Sequence, residues 1–215
     1  MRADVFVARK LFEDAVIEYK RSLVIDRYNF SVANRLGVAY HNLRKLRDAE
    51  QQYREALRLR PNYLDALNNL GVVDYVREDY ESALTRYRKA LKLQPTSATI
   101  LRNMGACLFS LQRWDEGMEA YQQALEINPK LFEPQPGGVG ASIQMSQKST
   151  ARLNFYLAKI FALRGETDVA ISYLFKAVES GFDDAKMIRE EQAFKPLTSD
   201  ERFGRVLETI AVRKS

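Results

Sequence analysis

The chain has 215 residues, 46% of them hydrophobic and 28% charged, and a formal net charge of +5. That is enough apolar content for one domain or one short solenoid. One cysteine excludes an internal disulfide, and no apolar run approaches the ~20 residues with which a helix crosses a membrane. The modest charge, without a like-charged cluster, offers nucleic acid little footing.

The chain opens with MRADVFVARK, which lacks the apolar centre of an export signal. A cytoplasmic location is the default expectation, and a periplasmic one holds if an upstream leader has been removed. Phe12, Ala15, Tyr19, Ser22 and Leu23 then stand 34 residues before Leu46, Ala49, Tyr53, Ala56 and Leu57. Residues 1–29 therefore read as a partial repeat. Residues 30–63, 64–97 and 98–131 are three full ones. The 34-residue step joins Leu36-Gly37 to Leu70-Gly71 and Met104-Gly105. It also joins Ala49, Ala83 and Gly117, then Tyr53, Tyr87 and Tyr121, and last Pro61, Pro95 and Pro129.

Within 64–97 the physics of the unit is visible. Leu67, Leu70, Gly71 and Asp74 follow the i, i+3, i+4, i+7 spacing of one helix face, helix A. Glu78-Asp79 is a polar turn. Ala83, Leu84, Tyr87, Ala90 and Leu91 mark helix B, which must end before Pro95. Gly71 and Ala83 are small enough to let the two helices cross closely. Thr96 or Ser97 can cap the next helix A. One such hairpin cannot bury its own apolar face, so several must stack. In the third repeat Trp114 reads as a core aromatic, and Cys107, on the inner side of helix A, as a packed thiol.

Residues 132–150 break the period with Glu-Pro-Gln-Pro-Gly-Gly-Val-Gly, a loop composition. It shifts the next repeat or folds over the groove as a lid, and 142–150 can extend the following helix backwards. Lys148-Ser149 is preceded by Gln147 rather than glycine, which argues against a phosphate loop. Residues 151–184 resume the pattern loosely. Residues 185–215 read as a helical cap: a short helix closed by Pro196, then a last helix capped by Ser199 with Phe203, Val206, Leu207 and Ile210 on one face.

These repeats resemble the tetratricopeptide repeat (TPR) family, and the ending resembles that of bacterial members. The resemblance implies an all-α fold: a right-handed superhelical solenoid of helix-turn-helix hairpins with a C-terminal capping helix. It also implies a non-catalytic scaffold that binds a peptide or an extended partner segment in a concave groove lined by the A helices. Residues placed there by the frame are Asn34, Val38 and His41, then Asn68, Asn69, Val72 and Tyr75, then Arg102, Asn103 and Phe109. His41, Tyr75 and Phe109 form a ring ladder. The asparagines form an amide set that can pair with a peptide backbone without reading its sequence. Asn69 and Asn103 resemble the asparagine ladder of O-linked N-acetylglucosamine transferases, with Arg35 breaking the row. The carboxylate clamp of chaperone-binding members is not matched: Val38, Thr99 and Asn103 replace its polar and basic residues.

Catalysis finds no recognisable motif: the one histidine, His41, lacks an acid or serine partner in sequence. No His/Cys spacing suggests a metal, and no cofactor is implied. Self-association is compatible with such an array. Two alternatives from other classes are an assembly or targeting subunit of a bacterial envelope or secretion machine, and an RNA-binding solenoid. RNA is disfavoured because the predicted inner face is amide and ring rather than lysine and arginine.

Overall fold

The computed structural model describes residues 2–131 and 145–214, and the expected lid lies largely outside them. Among the described residues there is no strand. Eight helices precede 132–144: α1 (Arg2–Ala8), α2 (Phe12–Ile25), α3 (Phe30–Asn42), α4 (Leu46–Leu59), α5 (Leu64–Val76), α6 (Tyr80–Leu93), α7 (Ala98–Ser110) and α8 (Trp114–Ile127). After it come α9 (Gln147–Leu163), α10 (Thr167–Glu179), α11 (Ala185–Glu190), a 3₁₀ helix (Gln192–Leu197) and α12 (Glu201–Lys214). Two compact units result. One holds 2–108 and 123–131, the other 109–122 and 145–214.

In the first unit each of α1 to α5 packs against the helix that follows. The tyrosine column is the centre of this packing: Tyr19, Tyr53 and Tyr87 are each no more than 1% exposed. The expected close approach involves a ring rather than Ala83 alone. Gly71 faces the Tyr87 ring, and Gly37 faces Tyr53 in the same way. The A-to-B turns share a left-handed residue at one register, with φ of 59° at Lys10, 60° at Arg44, 64° at Glu78 and 59° at Gln112. Gly165 takes that place before α10 with φ 75°, and there a glycine meets the requirement without a Cβ penalty. Asp79 caps α6 through the Ser82 amide at 3.2 Å. Cys107 is fully buried and its thiol donates to the Tyr80 carbonyl at 3.0 Å.

In the second unit α9 packs on α10 and on the 3₁₀ helix, and α12 packs on α10 and α11. Aromatic rings fill it. Phe155 stacks on Phe182 at 4.6 Å between centroids and meets Phe194 edge-on at 5.6 Å. Trp114 packs edge-on against Phe109 at 5.4 Å. Helix α9 extends backwards from the repeat start to Gln147, as 142–150 allowed, and the Ser146 side chain caps it at the Ser149 amide. Two local expectations change. Pro196 does not close α11, which ends at Glu190, but lies inside the following 3₁₀ helix. The last helix is capped one residue later than Ser199: Asp200 accepts from the Arg202 amide at 2.9 Å.

Candidate functional site

Helices α3, α5 and α7 each bring asparagines to one face, and these join into a single chain of amides. Asn103 Nδ2 donates to Asn68 Oδ1 at 2.9 Å, Asn68 Nδ2 to Asn69 Oδ1 at 3.4 Å, and Asn69 Nδ2 to Asn34 Oδ1 at 3.0 Å. Repeats advance by 34 residues, while the facing pairs are 35 apart. One asparagine column of each A helix therefore meets the neighbouring column of the next. Arg35 stands where the next two repeats have Asn69 and Asn103, and it pairs instead with Asp4 at 2.9 Å. Asp4 also accepts from the Tyr19 hydroxyl at 2.7 Å. Burial pushes the Asp4 carboxyl up, but the Tyr19 hydroxyl and the Arg35 charge outweigh it and hold it below the usual range.

The chain of amides is mostly enclosed. Asn34, Asn69 and Asn103 are buried, whereas Asn68 is half-buried. A buried amide costs free energy unless its donors and acceptors are met, and the neighbouring amides meet them. Val38 and Arg102 are also half-buried. Arg102 forms no ion pair among the described residues.

The ring ladder and Val72 are spent on packing. Val72 and Phe109 are fully buried, Tyr75 is 4% exposed and His41 6%. Tyr75 meets Tyr80 edge-on at 5.1 Å. Phe109 meets Trp114, Tyr121 and Tyr156, the last two at 5.6 and 5.5 Å. The ladder was expected to offer its faces to a ligand, but His41 is buried and the Tyr75 and Phe109 rings are engaged by helix B aromatics and, for Phe109, by Tyr156. Helix periodicity places a residue on a face; it does not say how far a neighbour's ring reaches over it. His41 Nδ1 is buried with no hydrogen-bond partner. Burial, and to a smaller degree Arg44, keeps its pKa below the ordinary histidine value.

One constellation escaped the sequence reading. Asp74, 6% exposed, is paired with Arg86 of α6. Glu50 of α4 pairs with Arg77 and with Arg54, both at 2.6 Å. Burial raises the Asp74 pKa, and Arg86 opposes that. The signal was present as an acid inside an apolar helix stripe, which needs a cation to remain charged. Among the described residues no group of three or more His, Cys, Asp or Glu side chains is placed to hold a metal ion. Among the described residues no helix is long and apolar enough to cross a membrane.

Family comparison agrees with the period. Tetratricopeptide repeat models match residues 30–63 and 98–131, and a TPR repeat model matches 73–112. No curated protein matches the chain. Among solved structures, PilF of Pseudomonas aeruginosa is similar with TM-score 0.63 and 18% identity, over 99% of this chain and 89% of that one. MamA of Desulfovibrio magneticus RS-1 is similar with TM-score 0.58 and 18% identity, over 83% and 90%. YrrB, a TPR protein described as having an unusual peptide-binding site, is similar with TM-score 0.57 and 17% identity, over 90% and 91%. At these identities the likeness is one of fold.

Proposed function

The chain is a tetratricopeptide repeat protein, and from that premise we propose that it is a non-catalytic scaffold holding an extended segment of a partner protein against the A-helix face of α3, α5 and α7. Repeats of this family serve protein interaction. YrrB, of similar fold, is described as binding peptide, and the same ligand class suits this face.

The observation that carries the reading is the amide chain with Asn68 at its partly open centre. Asn68 spends one N–H and one acceptor site on its neighbours, so one of each remains. An extended backbone presents one donor and one acceptor per residue, which matches that remainder without reading sequence. Buried Asn34, Asn69 and Asn103 fix the orientation of Asn68. Val38 adds apolar contact, and the unpaired Arg102 guanidinium suits a carboxylate on the segment. Buried His41, Val72 and Tyr75 lie behind this face rather than on its surface. Among the described residues the face offers amides and the Arg102 guanidinium, not the run of cations that binds a nucleic-acid backbone.

The test is selection from a phage-displayed random peptide library on the parent chain, followed by affinity measurement with the selected peptides. An Asn68→Ala/Arg102→Ala variant that melts like the parent should bind them about tenfold more weakly or worse. Equal affinity for parent and variant overturns the site.

A further inference from the structure

Helix α2 carries an exposed apolar stripe that its counterparts lack. Ile17 is 50% exposed, Val24 86% and Tyr28, just past the helix end, 58%. At 100° per residue Ile17 and Val24 project within about 20° of one another, and Tyr28 follows in the turn after the helix. In the three later repeats the same columns are polar and exposed. That of Ile17 holds Gln51, Thr85 and Glu119, that of Val24 holds Arg58, Lys92 and Glu126, and that of Tyr28 holds Asn62, Thr96 and Lys130. Since those columns stay exposed in 30–63 and 64–97, each of which has a repeat on either side in sequence, a further repeat stacked ahead of α1 would not reach this face either. Solvated helix surfaces of monomers rarely hold such a stripe without a partner.

The charges beside the stripe identify the partner. Glu13 and Lys20 run along one edge, Asp14 and Arg21 along the other, all four exposed. The acids lie in the first turn and the bases seven residues later. Two copies laid parallel bring Asp14 beside Glu13 and Arg21 beside Lys20, which repel. Two copies laid antiparallel, with the two-fold axis at Ile17, bring Asp14 opposite Arg21 and Glu13 opposite Lys20 on both edges. The face is therefore complementary to itself in one orientation, as an isologous interface requires. Arg21 now pairs with Glu18 one turn before it, at 2.6 Å and largely in water, so exchanging that partner costs little. Lys20 lies 5.8 Å above the Tyr40 ring, and its flexible stem can turn outward.

We propose that the outer face of α2 pairs antiparallel with α2 of a second copy, making the chain a two-fold homodimer through the face centred on Ile17, with Val24 at either end of it. Sedimentation equilibrium of the full chain tests this. The parent should self-associate at micromolar concentration. Ile17→Glu/Val24→Glu, at exposed sites and with an unchanged melting midpoint, should weaken association about tenfold or more. Asp14→Arg and Arg21→Asp should each weaken it about fivefold, and the double reversal should restore it, because that edge then matches again. A monomeric parent overturns the proposal. So does a dimer indifferent to Ile17→Glu/Val24→Glu, or a double reversal that fails to restore association. Sedimentation of a monomeric parent with phosphatidylcholine vesicles, lost in Val24→Glu, would assign the stripe to lipid and overturn it too.

Discussion

The Tyr87 ring occupies the space that a side chain at Gly71 would need: a Cβ there would stand 2.6 Å from the ring's Cε1. Gly37 and Tyr53 repeat the relationship one unit earlier at 2.5 Å. Helix A meets helix B through a glycine and a tyrosine, and both rings are fully buried, so neither can swing away.

Replacing Gly71 by alanine sets two effects against each other. Helix propensity favours alanine by about 1 kcal/mol, while forcing a methyl into a closed core costs about 1–3 kcal/mol. The overlap is severe, so Gly71→Ala should lose about 1–2 kcal/mol of stability in a denaturant titration. Gly204 in α12 has nothing within 4 Å of its built Cβ. Gly204→Ala should therefore gain up to about 1 kcal/mol. Equal shifts for the two would refute the steric account.

The tyrosine column separates ring from hydroxyl. The Tyr53 and Tyr87 hydroxyls are buried without a hydrogen-bond partner, whereas that of Tyr19 donates to Asp4 at 2.7 Å. An unmet buried hydroxyl costs about 1–3 kcal/mol, and a made hydrogen bond contributes about 1 kcal/mol. Tyr87→Phe and Tyr53→Phe should therefore be neutral or stabilising by up to about 1 kcal/mol, and Tyr19→Phe should lose about 1 kcal/mol. Removing the ring is a different matter: Tyr87→Ala should cost about 3–5 kcal/mol. Thermal and denaturant melts of the four variants check the order.

His41 predicts a pH dependence. Its folded-state pKa lies below the ordinary value of about 6.5. As pH falls through that value the unfolded chain takes up a proton that the folded chain refuses, so the unfolded state gains. The stabilising contribution of neutral His41 is thus complete above about pH 6.5 and is lost as pH falls towards the folded-state pKa. It is the chain's one histidine, so His41→Gln should flatten the stability profile just below neutrality. An unchanged slope there would show that the ring is solvated.

Much of the fold was legible because the period repeats: α5 and α6 occupy 64–76 and 80–93, the spans that Leu67, Leu70, Tyr87 and Pro95 define in sequence. Tetratricopeptide repeat models match residues 30–63 and 98–131, where the 34-residue step is plainest in the sequence. Face was readable too, since the asparagines do share a side. Depth was not. Tyr75 and Phe109 have the helical phase of groove residues, yet Tyr80, Trp114 and Tyr156 close over them, and these come from other helices. The α12 cap was misplaced by one residue for a similar reason: Ser199 and Asp200 compete as capping side chains, and backbone geometry chooses Asp200.

Asn34 and Asn69 allow the amide chain to be weighed as one structure. Each is buried and each is the other's partner at 3.0 Å. Asn69→Ala leaves Asn34 Oδ1 and Asn68 Nδ2 without their present partner, so it should cost about 1–3 kcal/mol. Asn34→Ala leaves only Asn69 Nδ2 unmet and should cost less. Once either is gone, removing the other breaks no further bond between them. The double variant should then be more stable than the two single losses together imply, by a coupling of about 0.5–3 kcal/mol. Asn103→Ala acts at the far end of the chain, touching Asn34 only through Asn68 and Asn69. If hydrogen bonds along the chain polarise one another, its coupling to Asn34 should be small but measurable. Additive losses for Asn34 and Asn69 would mean that the amides are solvated separately and that Asn68 is not held in place.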